Sequence, residues 1–226
     1  MTAVTLAVTG ASKIFASHAV LVKAVDNVSA AFTAGTIAAI MGPSGSGKTT
    51  LLSILGLILK PTTGRVEIMG QDVTNYDEKR LPALRRSHIG FIFQSFNLFG
   101  SLTVLENVLV SLQIKKVLKA QASAQAMAAL ERVHLSHRIA FYPRDLSGGE
   151  KQRVSIARAI AVDAPIILAD EPTANLDSKT GVEIIELLHE LAAEQGKTVV
   201  LVSHDLRITE HVNRILLLED GILHEG

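Results

Sequence analysis

Residues 42–50 read "GPSGSGKTT", and no other stretch limits the possible fold as tightly. The preceding "TIAAIM" is a β-branched apolar run of strand type, and the following "LLSILGLIL" has the length and periodicity of a buried helix. In that strand–loop–helix order, Gly42-x-x-x-x-Gly47-Lys48-Thr49 has the spacing of a phosphate-binding loop, which a flexible Gly/Ser linker does not share. Gly45 and Gly47 admit torsions that a side chain forbids, so successive N–H groups can turn inward around an anion. A helix starting near Lys48 aims its positive dipole end and free N–H groups at the same point. Lys48 adds a mobile charge for β and γ phosphates, and Thr49 offers a hydroxyl to Mg²⁺.

The remaining composition narrows the class. A chain of 226 residues suits one or two domains with a full core. Lys+Arg and Asp+Glu are both 22, so no basic field recommends nucleic acid, and a small anion held locally fits better. With no cysteine, disulfides and thiolate metal sites are excluded. The start, "MTAVTLAVTGASKIF", lacks the basic and apolar regions of a secretory signal, and no apolar run approaches the ~20 residues of a membrane span. The expectation is a chain that does not itself cross a bilayer. A mean hydropathy of +0.32 with 48% hydrophobic residues nevertheless points to apolar surface intended for another protein.

Strand candidates are "VTLAVT" (4–9), "VSAAF" (28–32), "TIAAIM" (36–41), "RVEIM" (65–69) and "IGFIFQ" (89–94). Between 103 and 161 the pattern turns helical, with "TVLE" and "SGGE" matching the capping-box spacing and "QASAQAMAALERV" rich in helix formers. "PIILAD" (165–170) and "TVVLVS" (198–203) flank the helical "GVEIIELLHELAAEQG", a βαβ unit whose apolar strands suit a parallel sheet buried on both faces. The end, "RILLLEDGILHEG", reads as a hairpin turning at Asp220-Gly221. The fold class is therefore α/β, a parallel-sheet nucleotide-binding core interrupted by a helical insertion.

A phosphate-binding loop needs partners for metal and water. Asp170 ends "PIILAD" at the carboxyl end of a strand, where ligands of open α/β sheets collect, and can hold Mg²⁺; Glu171 follows and can polarise a nucleophilic water. Acidic residues also end strands for purely structural reasons, but the upstream loop favours chemistry. His204 occupies the equivalent place after "TVVLVS", where an isolated histidine would serve a turn. Gln94 closes "IGFIFQ" and offers an amide to metal or water.

"LSGGEKQR" (146–153) is the most informative remaining segment. Ser147 and Glu150 form a capping box, which leaves Gly148 and Gly149 unexplained; they bare the backbone at a helix N-terminus and make a second anion site. Either the chain binds two nucleotides, or this grip closes on a nucleotide held by another copy. The lack of a second loop and carboxylate pair favours sharing.

Together these segments resemble the ATP-binding subunits of ABC transporters, over essentially the whole chain. "GPSGSGKTT", "FQ" (93–94), "LSGGE", "IILADE", "NLD" (175–177) and His204 stand in the order of that family's Walker A, Q-loop, signature, Walker B, D-loop and switch histidine. The resemblance implies an N-terminal antiparallel β-subdomain, a core of 1–94 and 162–226, and a helical subdomain of 95–161. It also implies ATP and Mg²⁺ as ligands, with metal contacts from Thr49, Gln94 and Asp170 and catalytic roles for Glu171, His204, Lys48 and Gln94. Nucleotide contacts would come from Gly42, Pro43, Ser44, Gly45, Ser46, Gly47, Lys48, Thr49 and Thr50, and from Ser147, Gly148, Gly149, Glu150 and Asp177. The adenine-stacking aromatic corresponds to Phe15 in "SKIF", for which a core position is an equally good reading. Ala174 stands where glycine is more usual.

"RRSHIGFIFQSFNLFGSLTVLENV" with "LADEPTANLDSKTG" resembles the branch of macrolide-exporter, lipoprotein-releasing and heterocyst-envelope export ATPases. The first of these segments also resembles polar amino acid importers, and a division-type ABC ATPase that moves no cargo is a further alternative. DNA-repair relatives carry long coiled coils, and this chain has no sustained heptads. The resemblance implies an ATP-dependent head-to-tail homodimer on the cytoplasmic face of the plasma membrane, held by an integral permease, with a periplasmic adaptor in the export case. "SFNLFGSLTV" gathers Phe96, Leu98, Phe99 and Leu102 in one loop, the expected docking place for the permease.

Overall fold

The structure, a computed structural model, describes residues 3–17, 20–77 and 79–225. Strands β1 (Val4–Ser17) and β2 (Val20–Thr33) form an antiparallel ribbon. β3 (Ile37–Met41) runs into the glycine loop and α1 (Lys48–Leu55). β4 (Thr63–Ile68) returns to pair with β1, and the two-residue β5 (Gln71–Asp72) completes a sheet of order β2-β1-β4-β5. The short α2 (Leu81–His88) leads into β6 (Ile89–Ile92). Helices α3 (Val104–Ile114), α4 (Lys119–Arg132) and α5 (Gly148–Ala161) follow and pack on one another. β7 (Ile166–Asp170), α6 (Ser178–Gln195) and β8 (Thr198–Ser203) make the expected βαβ unit; β9 (Arg214–Glu219) and β10 (Ile222–Glu225) make the terminal hairpin.

The second sheet has the order β10-β9-β3-β8-β7-β6 and is parallel throughout except for β10. β3 and β8 are buried along their whole length, which is why they read as unbroken apolar runs. Their two-residue period divides the core in two. Ile37, Ala39 and Met41 face α3, α5 and α6 with Val199 and Leu201, whereas Ala38 and Ile40 face α1 and the antiparallel sheet with Val200 and Val202. All four carboxyl ends of β3, β6, β7 and β8 thereby reach the same rim, with the glycine loop, Gln94, Glu171 and His204 just beyond them.

Three local expectations are corrected. The helix expected over 51–59 stops at Leu55, because Leu57 takes a left-handed φ of 57° and Gly56 admits the Phe91 ring, which would lie 2.0 Å from a β-carbon there. β6 ends at Ile92, leaving Gln94 in the following loop. The ribbon strands run well past 4–9 and 28–32, carried by continuous pairing through a series of register shifts.

Candidate active site

The glycine loop is fixed by its own backbone. Gly47 sits at φ 101°, and a β-carbon there would lie 2.0 Å from the Ala24 carbonyl oxygen on β2, so torsion and space both require glycine. Asp220 and Gly221 at the β9–β10 turn both have positive φ, the conformation of a tight hairpin. Gly221 N–H donates to Ser46 O (3.1 Å) and its own carbonyl accepts from Asp26 N–H (2.8 Å), so the far end of the chain braces the loop. Lys48, only 7% exposed, donates to the carbonyls of Gly42 and Pro43 at 2.8 Å each. These bonds hold its ammonium at the loop mouth.

A cavity of about 610 Å³ opens there, lined by Pro43, Ser44, Gly45, Gly47, Lys48, Thr49 and Thr50 and by Gln94, Glu171, His204 and Ala24. Thr49 Oγ1 donates to Asp170 Oδ1 (3.1 Å), joining the start of α1 to the end of β7. Burial raises the Asp170 carboxyl above its ordinary pKa against the Thr49 hydrogen bond, and the neighbouring Glu171 charge pushes the same way. A hard cation between these oxygens would relieve that penalty. Glu171 has a left-handed φ of 46°, held by its N–H bond to Val202 O (3.0 Å). Its Oε1 accepts from His204 Nδ1 at 2.9 Å, while Oε2 is buried with no partner. The carboxylate thus stands at the cavity wall with Oε1 against a held imidazole and Oε2 enclosed behind it.

The second glycine segment lies elsewhere: none of Ser147, Gly148, Gly149 or Glu150 lines this cavity. The Ser147–Glu150 capping box is present, and Ser147 N–H with Arg138 holds the Glu150 carboxyl below its ordinary pKa. Gly148 and Gly149 belong to α5 and have no positive φ. A β-carbon on Gly149 would instead meet Thr180 Cγ2 at 2.7 Å. Asp177 caps α6 through Thr180 N–H (3.0 Å). Phe15 is 40% exposed on β1 beneath Lys13, which rules out the core reading, and it stands outside the cavity lining.

Two further contacts at this rim join residues to which the sequence assigns no individual role. Asn175 Nδ2 donates to Gln94 O (3.0 Å), and Gln152 Nε2 donates to Pro172 O (2.9 Å) from inside α5. Asn175 lay in a segment already suspected, whereas nothing in a helical "EKQR" distinguishes a buried glutamine that reaches another loop.

A second surface is apolar. A groove of about 550 Å³ runs between Phe91, Phe93, Phe99, Ile58 and Ile114, with Arg85, Arg86, Lys115 and Arg158 around it and, among the described residues, no carboxylate in its lining. The loop bearing Phe99 is built, because buried Asn107 bonds Phe99 O (3.1 Å), Leu102 O (3.1 Å) and Thr103 O (2.9 Å), and Arg158 donates to Phe96 O (2.8 Å) and Asn97 O (2.5 Å). With its backbone satisfied from below, the loop turns Phe99 outward, 50% exposed.

Comparison with known proteins agrees with this geometry. The ABC transporter family pattern matches residues 25–174. The chain is 47% identical to the lipoprotein-releasing system ATP-binding protein LolD 1 of Rhodopirellula baltica, over 84% of this chain and 82% of that one. It is 41% identical to the macrolide export ATP-binding/permease protein MacB of Agrobacterium fabrum, over 99% of this chain but 34% of that longer protein. The dimeric post-hydrolysis structure of the cassette MJ0796 of Methanocaldococcus jannaschii, bound to ADP and Pi, superposes with a TM-score of 0.90 at 40% identity, covering 97% and 98% of the two chains. A phosphate-binding loop, an acid-lined rim and this degree of likeness together place the chain in the ABC transporter ATP-binding family, as an ATPase.

Proposed function

We propose that the chain is the ATP-hydrolysing subunit of a membrane exporter and works as a head-to-tail homodimer. The observation that carries the hydrolytic part is the Glu171–His204 pair at 2.9 Å, facing the Lys48 loop across one cavity. Glu171 takes the proton of the attacking water; His204 holds the carboxylate through Oε1 and meets the γ phosphate. Loop N–H groups and Lys48 carry the phosphate charge, and Phe15 stacks on the adenine. Thr49, Asp170 and Gln94 would hold Mg²⁺, which when bound neutralises charge on the β and γ oxygens.

Ser147, Gly148, Gly149 and Glu150 stand apart from the cavity of their own chain, so their bare helix start serves the nucleotide of a second copy, with Asp177 beside it. The groove at Phe99 receives a cytoplasmic segment of the permease, which keeps the ATPase on the inner face of the membrane. Export is favoured by the identity with the LolD and MacB proteins, the latter across nearly the whole chain. Glu171→Gln provides the test: ATP binding persists, turnover falls at least ~10²-fold, and bound ATP holds two copies together. Hydrolysis at the unmodified rate would remove Glu171 from this role.

A further inference from the structure

Beyond β8 the chain turns through Leu206–His211, and Arg207 stands on that turn with its side chain half exposed. Its guanidinium holds both oxygens of Asp205, with Nε at 2.8 Å from Oδ1 and 3.0 Å from Oδ2, and Nη2 at 2.6 Å from Oδ2. The remaining arm, Nη1, donates to Ser178 Oγ on the first residue of α6. Asp205 also caps the turn through Arg207 N–H (3.0 Å), and its own N–H donates to Ser203 Oγ (3.0 Å). One fork therefore joins the loop leaving β8 to the helix that ends the loop leaving β7.

Those two loops begin at His204 and Glu171. Glu171 is anchored to β8 by its own N–H, whereas the 65% exposed His204 side chain has Glu171 as its hydrogen-bond partner among the described residues. The place of the imidazole therefore depends on how well the backbone from Ser203 to Arg207 is held. We infer that Arg207 is a positioning residue for ATP hydrolysis: by clamping Asp205 to Ser178 it sets His204 against Glu171, without touching the nucleotide. Removing the side chain would loosen the turn and leave the Asp205 carboxylate, next to His204, with the backbone N–H of position 207 but no guanidinium, a competing acceptor for the imidazole N–H. A planar five-donor fork suits this bridge, and a lysine ammonium cannot span Asp205 and Ser178 together.

The inference rests on the hydrolytic reading of Glu171 and His204, and the test separates the two. Steady-state ATP hydrolysis is measured for Arg207→Ala, Arg207→Lys, Ser178→Ala and His204→Ala, alongside thermal midpoints and ATP-binding stoichiometry. Arg207→Ala is expected to lower kcat about tenfold with KM within about twofold, the mark of lost alignment with binding intact. Ser178→Ala loses about threefold, and the double variant is no worse than Arg207→Ala, because both act through one bridge. Arg207→Lys is not rescued. Wild-type kcat in Arg207→Ala, full recovery with lysine, or a loss that follows the folded fraction overturns the inference. If His204→Ala hydrolyses at the wild-type rate, the hydrolytic reading falls and the inference with it; an inactive His204→Ala beside a fully active Arg207→Ala overturns only the clamp.

Discussion

At the start of α1, Gly47 lies at φ 101° with the Ala24 carbonyl where its β-carbon would be; at the start of α5, Gly149 has no unusual torsion and is hemmed in by Thr180 of α6. Both segments bare N–H groups at a helix N-terminus, and in sequence they look like one device used twice. Their causes differ. The first loop is shaped by its own torsions and braced by the hairpin turn at Gly221, so it is preset for phosphate. The second is an ordinary capped helix start whose glycine leaves room for Thr180, which sets the signature segment against α6 and hence near the Asp177 cap and the loop from Glu171. If the two segments serve different copies, as proposed, a change in one copy's loop at Glu171 has a short route to the grip offered to the other copy.

Gly47→Ala should break the first half of this contrast most severely. The new methyl meets both a forbidden torsion and the β2 backbone, roughly 2–5 kcal/mol in all, so ATP affinity should fall ~10²-fold in a direct binding assay. Near-normal affinity would mean that the loop is not preset. Mixing Lys48→Ala with Ser147→Arg tests whether the two grips serve different copies. Each protein alone should be almost inactive, and an equal mixture should recover up to about a quarter of wild-type hydrolysis, since half the dimers then carry one intact site. No recovery despite proven mixed dimers would count against independent shared sites.

Gly149→Ala probes the second half. Overpacking against Thr180 should reduce stability by about 1–3 kcal/mol, and Thr180→Ser in the same chain, lacking the offending methyl, should restore most of it. A fully stable Gly149→Ala that no longer pairs on ATP would show that the glycine serves ligand approach instead. The smallest effect belongs to Gly45→Ala. Gly45 has φ 83° but nothing within 4 Å of a β-carbon, so torsion alone operates, about 1 kcal/mol and a few-fold in ATP affinity.

These contrasts also mark how far the sequence could be read. The strand–loop–helix order, both capping boxes, the βαβ unit and the terminal hairpin were legible because each depends on residues close in the chain. So were the rim residues Asp170, Glu171 and His204, since strand ends of a parallel sheet meet on one side. What escaped was set by distance. α2 is eight residues with Pro82 near its start and no long apolar period to announce it, yet it supplies Arg85 and Arg86 to the groove. Arg207 and Ser178 are 29 positions apart in chemically ordinary segments. Glu171's left-handed backbone has no glycine to advertise it, because the bond to Val202 enforces it from outside.

The close fit of Gly149 against Thr180 bears on how such a chain can drift over generations. Alanine is reachable from glycine by a small change, but it meets the threonine methyl, which Thr180 keeps in place by donating its Oγ1 hydrogen to Asp177 Oδ2 (2.7 Å). A lineage must shorten position 180 before it can enlarge position 149, and once both have changed, restoring the threonine alone is harmful. The two positions are therefore bound by epistasis with a fixed order of steps, and related sequences should show the enlarged residue at 149 only alongside a smaller one at 180.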